Sequence, residues 1–569
     1  MPMARFKTAL ALAVGMALAP PVFAEDAGGY LAARSAMIAS DFDEASQYYA
    51  RAIARDPGNL ALLENGAVAF LGLGDLDRAA EIAARAIEIG SDSQMVALIH
   101  HGQLALTGEW QSIIDGVDGN LAVGPLFDGL VKAWALVGAG QMTEALAAFD
   151  TVAANQGVEA FGLYHKALAL ASVGDFEGAA EIFSGDTGRT LRVTRRGIVA
   201  YAEILSQLER NGDAVALIEV APGGTSDPYL MDLKSQLAEG DVLAFEAVRT
   251  PIDGMAEVYF SIASALRSEA QADYTLVYTR MAMALRPDHI DGLLMTAELL
   301  EDLGRYDLAT EVYDTVPRDD PSFQAAELGR AEALRRAGRN DEAIEVLRQL
   351  GESHPESTLA FVTLGDTLRG LERYEEAIKP YTTAVELIED PQEPHWIVFF
   401  ARAIVYERTG QWEKAEADFR KSLELRPEQP QVMNYLGYSF LEQKTNYEEA
   451  LDLIERAVAL RPDSGYIIDS LGWGLYRLGR YQEAVGHMEK AVERMPIDPV
   501  VNDHLGDVYW AVGRKLEAQF QWQRALSFVS DDTDPMDVDP ERIRRKLDVG
   551  LDQVLEEEGA PPLTELAQD

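Results

Sequence analysis

Apolar and small residues recur along this chain with the spacing of amphipathic helices, and the helices recur with a longer period. Leu471-Gly472, Ala484, Ala491 and Pro496 return 34 residues later as Leu505-Gly506, Ala518 and Ala525. One repeat earlier the run reads Leu436-Gly437, Ala450, Ala457 and Pro462. A fixed period of this length, with small residues at set places, predicts paired helices stacked into a solenoid. The small residues stand where the two helices of a pair cross closely. Pro or Gly then stops the second helix and turns the chain. The large residue four after each Ala fills the space between helices, as in Tyr49, Phe149, Phe183, Tyr313, Tyr381, Phe419 and Trp522.

About 15 such units fit into the chain. The regular ones start near Asp26, Leu60, Ile290, Gln324, Thr358, Trp396, Pro430, Gly465 and Pro499. Units near Leu126 and Ala160 are recognisable through Ala145/Phe149 and Ala179/Phe183. Residues 94–125 and 190–255 are degenerate: Gly116, Gly119, Gly223 and Gly224 crowd them, so distorted pairs or a hinge are expected. Residues 390–394 are inserted between two regular units. Past Leu526 an acidic, Pro-containing loop is expected. Pro540 then opens a helix to about Glu558, with Ile543, Leu547, Leu551 and Val554 on one face. This helix is expected to cap the open apolar end of the last repeat, and the tail from Gly559 to lack structure.

These residues resemble the tetratricopeptide repeat. Its motif maps onto Leu505-Gly506, Tyr509, Ala518, Trp522 and Ala525, and onto Phe361, Leu364-Gly365, Leu368, Ala377, Tyr381 and Ala384. The resemblance covers nearly the whole chain after the first residues and is most specific between Ile290 and Ser530. It implies an all-α, right-handed solenoid whose first helices line an inner groove. Facing away from the Leu-Gly packing side in the C-terminal units are Asn434 and Tyr438; Asp469, Trp473 and Tyr476; Asp503, Asp507 and Trp510. Aromatics interleaved with carboxylates make a strip for stacking and hydrogen bonding. It suits an extended peptide with basic or apolar side chains, or a glycan; the same residues can also pack on one another. A more apolar strip holds Phe127, Leu130 and Trp134, then Phe161, Tyr164 and Leu168, which fits either core packing or a secondary hydrophobic groove. Chaperone-type members hold a terminal carboxylate with Lys, Asn and Arg. The matching C-terminal positions here are acidic or aromatic, which argues against that ligand. Arg335, Arg369 and Arg408 leave a weaker anionic option, with Glu332 and Glu407 at hand to pair with them.

The first residues change the picture of where the protein works. Arg5 and Lys7, the apolar run from Thr8 to Ala19 and the small residues around Phe23 read as a secretory signal peptide cleaved after Ala24. The run is too short to span a bilayer, and no later run is longer. The 569 residues include no cysteine, so lipid attachment at a cysteine is excluded, and a periplasmic protein without a membrane span is expected. The net charge is −45, or −47 without Arg5 and Lys7. Such a field repels nucleic acid and favours neutral or cationic partners.

Catalytic patterns are missing. No Gly-rich phosphate loop ending in Lys-Ser/Thr occurs, and Gly437-Tyr438-Ser439 lacks the second Gly of a nucleophile elbow. His100 and His101, adjacent on a helix, point apart. The carboxylates between Asp531 and Asp539 lack the Gly turn and terminal Glu of a calcium loop. No catalytic residue, metal or cofactor is expected. The expected organisation is a signal peptide (1–24), partly degenerate repeats (25–255), a regular array (256–530), an acidic loop with capping helix (531–558) and a tail (559–569). The expected function is a non-catalytic exported scaffold or adaptor in envelope assembly or transport, binding a protein in its groove. Envelope glycan binding is the alternative, and an accessory subunit of an enzyme a third reading.

Overall fold

The structure, a computed structural model, describes residues 22–185, 191, 194–224, 226–530 and 538–563. Nearly all of the expected signal peptide and most of the acidic loop lie outside these residues. The described residues hold thirty-one α-helices and no strand. The chain divides into two compact units, one up to Leu350 and one from Gly351. Each is a right-handed solenoid of helix pairs.

Local sequence sets the helix ends. Leu60–Leu73 starts where the Asn59 side chain accepts from the Leu62 N–H, and it stops at Gly74 with φ 98°. Pro499–Ala511 starts on Asp498, which accepts from the Val501 N–H, with Pro499 in the first turn. The regular units begin at Leu60, Ile290, Phe323, Thr358, Trp396, Pro430, Gly465 and Pro499, within a residue of the sequence expectation, whereas the helix expected near Asp26 is described from Val22. Within a pair the small residues are the contact: Ala450, Ala484 and Ala518 are fully buried, and a Cβ at Gly506 would overlap the Trp522 indole. The degenerate stretches are helical too. Gln94–Thr107 pairs with the short Trp110–Asp118, and Arg195–Gln207 with Asn211–Val220. Pro228–Glu239 has no second helix, and the chain runs without helix from Gly240 to Thr250.

In the first unit, Pro251–Leu266 and Ala272–Leu285 turn back across the first helices of earlier pairs. Pro251–Leu266 packs on Gln94–Thr107, Pro125–Gly138 and Glu159–Ser172; Ala272–Leu285 packs on Leu60–Leu73 and Gln94–Thr107. The expected boundary at 255/256 falls inside this returning segment. Tyr259 Oη donates to the Leu98 carbonyl at 2.6 Å, and the Arg280 guanidinium donates to the Gly72 carbonyl at 3.1 Å. Gly254 lets the backbone lie against the Trp134 ring, where a Cβ would overlap it.

The second unit ends differently from the single capping helix expected. Two helices, Pro540–Val549 and Leu551–Glu557, are joined at Gly550, whose φ of 87° disfavours any other residue. Ile543, Leu551 and Val554 are buried. Of the tail expected to lack structure, residues 559–563 are described; they are not helical, and the Leu563 carbonyl accepts from Tyr481 Oη at 3.0 Å.

Candidate functional site

In the second unit the helices Trp396–Arg408, Pro430–Glu442, Gly465–Arg477 and Pro499–Ala511 are the first members of their pairs. Adjacent turns of a helix put residues three and four apart on one face. The inner row therefore runs Ile397, Phe400, Ile404 and Glu407; then Gln431, Asn434 and Tyr438; then Tyr466 and Asp469. Most of these side chains line a groove of about 620 Å³, with Arg408, Tyr435, Glu442, Asp498 and Val500 also in its wall. The expected residues Asn434, Tyr438 and Asp469 are thus brought together. Phe400, Ile404, Glu407, Gln431 and Tyr466 were missed, although the same repeat register one unit earlier, and the second residue of each first helix, point to them.

Apolar and polar side chains line the groove together. Asn434 is buried, and its amide oxygen has no hydrogen-bond partner. Asp469 meets His504 Nδ1 at 3.1 Å. Burial pulls the imidazole down, but Asp469, with Asp503 and Asp507 behind it, raises His504 above the ordinary value. Burial likewise raises Glu407. Tyr466 is 47% exposed and Ile397 53%.

The rest of the expected strip is covered by the protein itself. Trp473 stacks on His504 with centroids 3.9 Å apart and on Tyr476 at 4.8 Å. Tyr476 and Asp507 are buried. Lys546, from the terminal helices and 0% exposed, donates to both oxygens of Asp503 at 2.9 Å and to Asp507 at 2.7 Å. Trp522 Nε1 also donates to Asp507, at 2.8 Å, and Arg542 stands 3.7 Å from it. Trp510 Nε1 donates to Asp552 at 3.0 Å. A continuous open strip from Asn434 to Trp510 is corrected on this point: Asp503, Asp507 and Trp510 hold the terminal helices.

The apolar strip of the first unit is also filled. Phe127, Trp134 and Tyr164 are buried, and their cover is the returning segment. Phe127 meets Tyr259 edge-on at 5.2 Å, and Tyr164 Oη donates to Glu257 at 2.8 Å. An open hydrophobic groove at these residues is therefore corrected. Trp134 Nε1 donates to His165 Nδ1 at 3.1 Å, and His165 Nε2 lies 3.1 Å from Ser261 Oγ. An imidazole that accepts at Nδ1 is neutral, in keeping with burial lowering His165 to about 4. Phe161, partly exposed, and Tyr164 line a residual cleft of about 420 Å³ with Leu191, Phe260 and the paired Arg195 and Arg196. Arg196 sits 2.9 Å from Glu257 and 3.2 Å from Asp291.

Elsewhere, His101 Nε2 is bonded to the Leu121 carbonyl at 2.8 Å, and its ring lies 6.5 Å from that of His100. Arg335 pairs with Glu332 at 2.7 Å, and Arg369 with Asp366 at 3.1 Å. Arg408 stands 4.0 Å from Glu407. Among the described residues no helix is long and apolar enough to cross a membrane.

A family model described as a tetratricopeptide repeat matches residues 30–94, 130–185, 294–357, 328–394 and 400–465, and a second of the same description matches 466–495. Together they span more than half of the chain. The TPR repeat-containing protein PA4667 of Pseudomonas aeruginosa is 34% identical over 83 residues, which are 15% of this chain and only 14% of that protein's length. Similar solved structures include the APC/C hetero-tetramer Cut9-Hcn1, at 14% identity over 95% of this chain and 98% of that one, with a TM-score of 0.36. Yeast Tom70 is similar at 14% identity over 94% and 98%, with a TM-score of 0.33.

Proposed function

Because the chain belongs to the tetratricopeptide-repeat family, we propose that it is a non-catalytic scaffold holding a segment of a partner protein in the groove between Phe400 and His504. The observation that carries this reading is the open groove of about 620 Å³, in which Phe400, Ile404, Tyr438 and Tyr466 stand beside polar and charged side chains. The site of action is the cell envelope, after export; this part rests on the pattern of the first residues and on the excess of acid. A glycan has less to stack on than the strip first suggested, since the faces of Trp473 are taken by His504 and Tyr476.

Two measurements test the proposal. N-terminal sequencing of protein from a periplasmic fraction is expected to start at Glu25; recovery of Met1 in the cytoplasm contradicts export. Affinity capture from envelope extract is expected to yield a discrete protein with the natural chain and not with Ile404→Arg/Tyr438→Glu. Equal capture by both contradicts the groove.

A further inference from the structure

We propose that the segment held in this groove is basic: an extended stretch of a partner protein with Lys or Arg about every third residue and apolar side chains between. The inference rests on the groove reading above and adds the chemistry of its occupant.

Three observations carry it. Four carboxylates, Glu407, Glu442, Asp469 and Asp498, line the groove against one guanidinium, Arg408. Much of their charge is met locally: Glu407 stands 4.0 Å from Arg408, Glu442 lies 3.2 Å from Arg477, Asp469 pairs with His504, and Asp498 caps its own helix. The surplus is still acidic, in a chain with 94 carboxylates and 49 Lys and Arg. That excess also argues against a second copy of the chain as occupant, because like fields repel.

The second observation is an internal precedent. Asp503 stands 34 residues after Asp469, at the same place in its helix. There the inner face already holds an ammonium group, Lys546, with both oxygens of Asp503 at 2.9 Å. The arrangement that closes the last repeat shows what side chain this surface accepts. One repeat earlier the equivalent carboxylate, Asp469, is likewise met by a basic side chain, His504, at 3.1 Å.

The third is spacing. Pro430–Glu442 touches Gly465–Arg477, which touches Pro499–Ala511, and Phe400 meets Tyr435 at 5.8 Å, so neighbouring first helices lie roughly 10 Å apart. An extended chain advances about 3.3 Å per residue, so it crosses one repeat in about three residues. Glu407 and Glu442 stand at the last turns of two successive first helices, one repeat apart. Between them Phe400, Ile404, Tyr438 and Tyr466 offer apolar surface to the intervening residues.

The test is selection of a random-peptide phage library on the full-length chain, with counter-selection on Ile404→Arg/Tyr438→Glu. Sequences enriched in Lys or Arg at a spacing of about three, alternating with apolar residues, are expected. Their affinity should fall as salt rises from about 50 to about 300 mM. It should also fall about fivefold for each of Glu407→Gln and Glu442→Gln, the second an exposed carboxylate whose removal leaves the melting curve in place. Enrichment of acidic or uncharged peptides, insensitive to salt and to both variants, overturns the basic preference and leaves the groove reading standing. No enrichment over the counter-selected variant overturns both.

Discussion

At the residue scale the most constrained side chain is Lys546. Its ammonium is wholly buried against Asp503 and Asp507, and removing one member of a buried charge cluster strands the others. Lys546→Met is expected to cost about 3–5 kcal/mol in urea unfolding, and a loss under about 1 kcal/mol contradicts this pairing. His504 gives a second residue-scale prediction. Its value is raised in the fold by Asp469 against the pull of burial, so the charged form stabilises. That contribution is whole below the unfolded histidine value of about 6.5 and fades as pH rises through the higher folded value. The melting-temperature gap between the natural chain and His504→Gln is therefore expected to narrow from slightly acid to alkaline pH; a gap that widens contradicts the assignment. Neither pairing was legible in the sequence. Lys546 sits among Arg544, Arg545 and Arg542 on a charged helix, where nothing in the local pattern separates the one buried cation from its exposed neighbours.

At the scale of elements the repeat period did most of the work. The Leu-Gly and Ala positions mark helix crossings, and crossings require small residues whatever the surroundings, so the start of each regular unit could be read directly. The terminal helices were legible as an apolar face but not as two elements, because the break depends on the backbone of Gly550 lying against the Trp510 ring. Deleting residues 540–569 is expected to expose Trp510 and the pair Asp503/Asp507. Aggregation and a red-shifted tryptophan emission should follow; an unchanged melting curve with monomeric protein contradicts the capping role.

At the scale of the molecule, the sequence showed which residues face inward but not which inward surfaces are covered. Covering segments come from far along the chain: Pro251–Leu266 lies on Trp134 and Tyr164, and Pro540–Val549 on Asp503. Periodicity reports a residue's place in its own repeat and carries no signal for such returns. Gly254→Leu, which drives a side chain into the Trp134 ring, is expected to raise hydrogen exchange across residues 94–172 and leave 396–511 unchanged. Protection unaltered at 94–172 contradicts the packing of the returning segment.

The central claim is that the inner face is open between Phe400 and His504 and filled where the chain returns on itself. A photo-crosslinking scan in the cells that make the protein tests it most directly, with the reactive residue placed in turn at Ile404, Tyr438, Tyr466, Phe127, Trp510 and an outer-face position such as Glu416. Protein adducts at Ile404, Tyr438 and Tyr466, with none at the other three, are the predicted result. Adducts at Phe127 or Trp510 equal to those at Tyr438 would contradict the account.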